Sequence, residues 1–152
     1  MVGTLLLVVL GILLGIWGLV AFAKSFEASF KNEQKTAAAD LTPRMDTLRT
    51  ALTAFAKAKV PGTDELVTSG EYVFVTYAAY EGAQGQAKAD ALRDARLAAT
   101  HFLYALRRHP TPELSPLKQM TVYRDLHRAL ADAEFALEAK LAQAYEAQSV
   151  SR

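Results

Sequence analysis

The stretch "LLLVVLGILLGIWGLVAFAK", residues 5–24, carries no charge until its last residue, and its reading decides the architecture. A bilayer's hydrocarbon core is about 30 Å thick, so a spanning helix needs roughly 20 apolar residues rising about 1.5 Å each. Residues 2–23 meet that requirement. A secretory signal peptide is the competing reading, and Ala21-Phe22-Ala23 has the small-residue look of a cleavage site. Signal peptides, however, open on a basic segment and have a shorter apolar core. No Lys or Arg precedes this run. The expectation is an uncleaved, single-pass transmembrane anchor over residues 1–24. A helical domain then fills residues 25–152.

Flanking charge sets the expected orientation. Lys24, Lys31 and Lys35 follow the apolar run. The positive-inside rule then places the bulk of the chain in the cytoplasm of a bacterial plasma (inner) membrane, with the amino terminus outside. A periplasmic domain is the alternative. Within the run, Gly11, Gly15 and Gly18 are spaced by four and three residues. Small residues at that spacing let helix backbones approach closely in lipid, so these glycines are candidate helix-packing positions. The plainer reading is that glycine is common in membrane helices. Trp17 and Phe22 suit the headgroup level, or else simply face lipid.

The rest of the 152-residue chain has an ordinary soluble surface. There are 17 basic and 16 acidic residues, a net charge of +1, and 51% of the whole chain is hydrophobic. That balance argues against a nucleic-acid binder, which needs a basic stripe to neutralise phosphates. The absence of cysteine removes disulfides, zinc thiolates and thiol nucleophiles.

Periodicity points to an antiparallel helical bundle. In "TPRMDTLRTALTAFAKAKVPG", residues 42–62, Thr42 suits an N-cap and Pro43 the first helical position. Met45, Leu48, Leu52 and Phe55 form a 3-4-3 stripe that Pro61-Gly62 ends. The preceding residues 25–40 are good helix formers, so one long helix kinked near Pro43 is expected. "EYVFVTYAAY", residues 71–80, has strand-like composition but no second strand to pair with. It reads as the start of a helix whose Tyr72, Phe74, Tyr77 and Tyr80 fill core or interface space. These four are the candidate partner-binding surface. Leu92, Ala95, Ala99, Phe102 and Leu106 make the next stripe, and the proline-rich "HPTPELSP" a turn. Ser115 then caps a last helix with Pro116 at its first position. Tyr123, Leu126, Leu130, Ala133 and Leu137 mark its inner face, extended by Leu141 and Ala144. Short connections favour antiparallel neighbours. The many alanines bury little area each, so completion by a partner or by self-association is expected.

Chemistry is sparse. His101, His109 and His127 show no metal-ligand spacing. His101, beside Phe102, reads as a partly buried core residue. Glu134 and Glu138 lack the histidine that diiron bundles place three residues on, and read as a solvated face. Gly82 and Gly85 lack the phosphate-loop pattern and serve better as helix breakers. Arg107, Arg108, Lys118, Arg124 and Arg128 gather around the turn, where they can meet solvent, anionic lipid or an acidic partner. No catalytic residue, cofactor site, metal site or small-molecule substrate is expected.

Pro112 and Leu114 stand at the turn, Leu126, Leu130 and Glu134 on the last helix, and Tyr145 near its end. With these residues the C-terminal half resembles the LemA family of bacterial membrane proteins. The resemblance implies a short outer tail, one transmembrane helix and a helical bundle inside. The sequence departs from the family pattern in several places. Glu146 follows Tyr145 where the family has asparagine, and Phe26-Glu27 lies where a Tyr-Asn is usual. A pair of arginines before the second helix is reduced to Arg44, and the chain is short for the family. One branch of that family is tied to magnetosome membrane formation, and no residue here selects it. The functional expectation is a non-enzymatic membrane scaffold or protein-interaction module. An accessory subunit of a respiratory, photosynthetic or transport complex is the alternative.

Overall fold

A computed structural model describes residues 2–109, 117 and 120–150, with the backbone alone for residues 2–10. Among the described residues the chain is all-helical. The helices are α1 (Val2–Ala39), α2 (Leu41–Lys57), α3 (Asp64–Gly82), α4 (Gly85–Arg108) and α5 (Thr121–Val150). Two compact units divide the chain, Met1–Gln34 and Lys35–Arg152. The boundary thus falls about ten residues later than the end of the apolar run suggests.

The first unit consists of most of α1. Over Gly11–Ala39 this helix is long and apolar enough to cross a membrane, and none of its apolar window is buried by the rest of the chain. The 38 residues of α1 extend about 57 Å at about 1.5 Å per residue, well beyond a hydrocarbon core of about 30 Å.

The second unit is a bundle of α2 to α5 joined by the last residues of α1, where Ala37 and Ala38 are buried in the core. In the bundle α2 packs on α3, α3 on α4, α4 on α5, and α5 back on α2. The predicted stripes all face inward. Met45, Leu48, Leu52 and Phe55 of α2 are buried, as are Leu92, Ala95, Ala99, Phe102 and Leu106 of α4. On α5, Tyr123, Leu126, Leu130, Ala133, Leu137 and Leu141 are buried and Ala144 is half-buried.

Two local features differ from the sequence reading, and a third agrees with it. The break between α1 and α2 falls at Asp40, not at a Thr42 cap. Pro43 explains the shift. It has no N–H for the Ala39 carbonyl four residues back, and its ring crowds that carbonyl, so the helix interrupts before the proline. The flanking bonds from Asp40 N to Thr36 O and from Arg44 N to Asp40 O carry the chain through the joint. Secondly, α3 begins at Asp64, seven residues before "EYVFVTYAAY", with Asp64 and Glu65 in its first turn favouring the positive end of the helix dipole. Its buried line is Leu66, Gly70, Val73, Tyr77 and Tyr80. Gly70 is a close approach. A Cβ there would lie 2.7 and 2.8 Å from the two Leu52 methyls and 2.9 Å from Phe102 Cε1. Thirdly, α3 ends at Gly82 and α4 starts at Gly85, whose φ of 57° is a left-handed conformation suited to glycine. The expected helix-breaking role of both glycines is thus seen. Ser115, Pro116, Pro112, Leu114 and Lys118 lie outside the described residues.

Candidate functional site: an exposed apolar face on α3 and α4

The four aromatic candidates separate into two groups. Tyr77 and Tyr80 are core residues, a correction to their place in a partner-binding surface. Their rings lie 5.8 Å apart, and Tyr77 Oη pairs with Thr42 Oγ1 at 3.3 Å. Burial pushes both phenols above their ordinary pKa, with Glu81 adding to the shift. Both therefore stay neutral hydrogen-bonding groups. Phe74 is half-buried beneath the Arg49 guanidinium, 4.4 Å from the ring centroid, an α2–α3 cation–π contact. Tyr72 alone is open, 59% exposed.

Tyr72 has apolar company that sequence reading missed. Val75 is 64% exposed one turn on, and Leu97 and Tyr104 of α4 are 39% and 56% exposed. A groove of about 760 Å³ runs between the two helices here, lined by Thr68, Tyr72, Asp94, Leu97 and His101 among others. The signal was available as a second stripe. Thr68, Tyr72, Val75 and Ala79 repeat at 4-3-4 on α3, as do Leu97, His101, Tyr104 and Arg108 on α4. His101 is exposed in this groove, not partly buried, because Phe102 takes the inward position beside it.

The remaining polar residues serve the packing of the bundle. Glu134 is half-buried and accepts a hydrogen bond from Thr100 Oγ1 at 2.9 Å, while Glu138 pairs with Arg96 at 3.7 Å. The pair thus ties α5 to α4 instead of forming a purely solvated face. Tyr123 Oη donates to the Leu106 carbonyl at 3.1 Å. Residue 110, which would cap that carbonyl in a longer helix, is proline and has no N–H. His127 Nε2 accepts from Arg107 Nε at 3.2 Å, and its ring stacks near Tyr123. Burial, and then the Arg107 charge, hold its pKa below the usual histidine value. His109 Nε2 lies 3.1 Å from the Gly62 carbonyl and links the loops after α2 and α4. Of the basic turn residues, Arg108 stacks over Tyr104 at 4.7 Å. Among the described residues no cluster of His, Asp and Glu could hold a metal ion.

In the first unit, Gly11, Gly15 and Gly18 have nothing within 4 Å of where a Cβ would stand. Their face is therefore uncovered by this chain. Comparison with family models, with curated proteins and with solved structures gave no match.

Proposed function

We propose that this chain is a non-enzymatic, single-pass membrane protein, a LemA-like helical scaffold that docks a protein partner or a second copy on its α3–α4 face. The observation that carries this reading is the outer side of α3. A helix that is apolar on all sides belongs in an interior. α3 turns Leu66, Val73, Tyr77 and Tyr80 to the core, yet it also leaves Tyr72 and Val75 in solvent. Leu97 and Tyr104 of α4 widen the same patch. Contiguous apolar surface of this kind is characteristic of interaction sites.

The anchor reading rests on α1. Its apolar length supports a membrane span, and the lysines that follow support a cytoplasmic bundle in a bacterial inner membrane. Gly11, Gly15 and Gly18 offer a second packing surface inside the bilayer. The histidines argue for structure over chemistry, since His127 is held by Arg107 and His109 faces the Gly62 carbonyl.

The test is mild-detergent extraction from the native membrane, followed by the mass and stoichiometry of the complex. A defined assembly is expected, and Tyr72→Ala with Leu97→Ala should release the partner while the chain stays membrane-bound. A monomeric wild-type chain, or an assembly indifferent to the double variant, would refute the docking face. Recovery of fixed, unrelated subunits would assign an accessory role within a larger complex.

A further inference from the structure

A second site lies at the end of the bundle where the chain enters it. Two grooves, of about 330 Å³ and about 300 Å³, share Tyr80, Lys88 and Lys140 and so form one crevice. One end is apolar, lined by Ala89, Leu92 and Ala144. The other end is polar, lined by Thr42, Tyr77 and Glu81 beside Ala38, Ala39 and Leu41. Lys88 Nζ sits 5.1 Å from the Tyr80 ring centroid. Among the described residues neither Lys88 nor Lys140 is paired with a carboxylate, and Glu81 is the one acidic residue lining the crevice.

We propose that this crevice binds the phosphate of an anionic phospholipid headgroup between Lys88 and Lys140, with the glycerol and first acyl carbons against the Ala89–Leu92–Ala144 end. Two observations converge on that ligand. The two lysines against one glutamate favour an anion. The gradient from apolar to cationic lining matches an amphiphile better than a free ion. The proposal rests on the membrane-anchor reading for its biological setting.

The test uses the full chain in an uncharged detergent. Short-chain dihexanoyl phosphatidylglycerol is titrated while the thermal unfolding of the bundle is followed, because a ligand bound to the native state raises the midpoint by mass action. The phosphatidylcholine analogue and inorganic phosphate are titrated in parallel. A saturable rise is expected with phosphatidylglycerol alone. Lys88→Gln and Lys140→Gln should each weaken it about fivefold, the factor associated with one lysine at an anionic surface. Lys57→Gln, on α2 in a different groove, should leave it unchanged. An equal rise with phosphatidylcholine, or titrations unaltered in the Lys88 and Lys140 variants, would overturn the proposal. A rise with inorganic phosphate matching that with phosphatidylglycerol would make this a free-anion site and overturn the lipid assignment. Alkaline carbonate extraction of native membranes tests the anchor separately. Release of the chain there would sink the anchor reading and leave the titration to decide the headgroup site.

Discussion

Gly70→Ala isolates the tightest contact in the bundle. The new methyl would stand 2.7 and 2.8 Å from the Leu52 methyls and 2.9 Å from Phe102 Cε1, all inside van der Waals contact. Two effects oppose each other. Alanine is favoured over glycine in a helix interior by roughly 0.5–1 kcal/mol. Overpacking a filled core costs roughly 1–3 kcal/mol. Leu52 and Phe102 are themselves buried and have little room to yield. The clash therefore wins, and a net loss of about 1 kcal/mol is expected. For a unit of this size that lowers the unfolding midpoint by about 4 °C. Leu52→Ala alone should cost about 2–5 kcal/mol through its cavity. It also removes two of the three clashing atoms. In that background Gly70→Ala should be neutral or stabilising, a coupling of about 1–2 kcal/mol between the sites. Gly82→Ala is the control, since its Cβ meets nothing within 4 Å. The assay is thermal unfolding of the full chain in mild detergent, followed by tyrosine near-UV signal, with all but Tyr145 of the six tyrosines lying in residues 72–123. If Gly70→Ala stabilises as Gly82→Ala does, or shows no coupling to Leu52→Ala, the close approach is not there.

Tyr123→Phe should cost about 1 kcal/mol in the same assay, because it strips the Leu106 carbonyl of its donor at a position where residue 110 has no N–H to offer. Thr100→Val should cost a comparable amount, about 1 kcal/mol, by leaving half-buried Glu134 without its hydroxyl donor; a neutral result would give that proton to the Arg96 carbonyl, 3.0 Å from the hydroxyl, instead. The lowered pKa of His127 makes stability fall on acidification. The unfolded chain takes up a proton near the ordinary value of about 6.5 while the folded one resists, so this group's contribution is intact above that pH and declines towards the folded pKa. His127→Gln should flatten the unfolding midpoint between about pH 7 and about pH 5.5, and an unchanged slope there would refute the assignment. Gly11→Leu with Gly15→Leu should weaken association of the full chain in detergent or bilayers, read by cross-linking; unchanged assembly would retire the glycine face.

The bundle was legible wherever an inward stripe was built of large residues. Leu48, Leu52, Phe55 and Phe102 announce themselves by size and spacing, and each is buried. The inner line of α3 was obscured for a physical reason. Its second member is Gly70, which contributes to packing by what it lacks, and its third, Val73, sits among aromatics that draw attention outward. Counting back from Tyr80 through Tyr77, Val73 and Gly70 to Leu66 gives a 3-4-3-4 rhythm. The start of α2 was misplaced because Pro43 was read as a first helical residue, whereas its effect is felt four residues upstream at Ala39. The polar ties were not legible at all. Thr100 to Glu134 and Arg96 to Glu138 connect residues more than thirty positions apart, and only the packing of α4 on α5 brings them together.

The candidate docking face follows from the same geometry. On α3 and on α4 one stripe fills the core, and a second, about half a helix turn away, carries Tyr72 and Val75 on one helix and Leu97 and Tyr104 on the other. A single apolar stripe is enough to seat a helix in a bundle. The second stripe is left largely open to solvent, where it forgoes the solvation that polar side chains would supply. The core beside it leans on alanines 95, 98 and 99 of α4 and 129, 133, 136 and 139 of α5, which bury little area each. A helix laid along the α3–α4 groove would cover Tyr72 and Leu97, side chains larger than the alanines that α4 buries beside them. The gain on docking would then be substantial relative to the stability of the bundle alone, and the partner would raise the unfolding midpoint by mass action. A bundle whose midpoint is the same free and in its extracted assembly would count against that face as the docking surface.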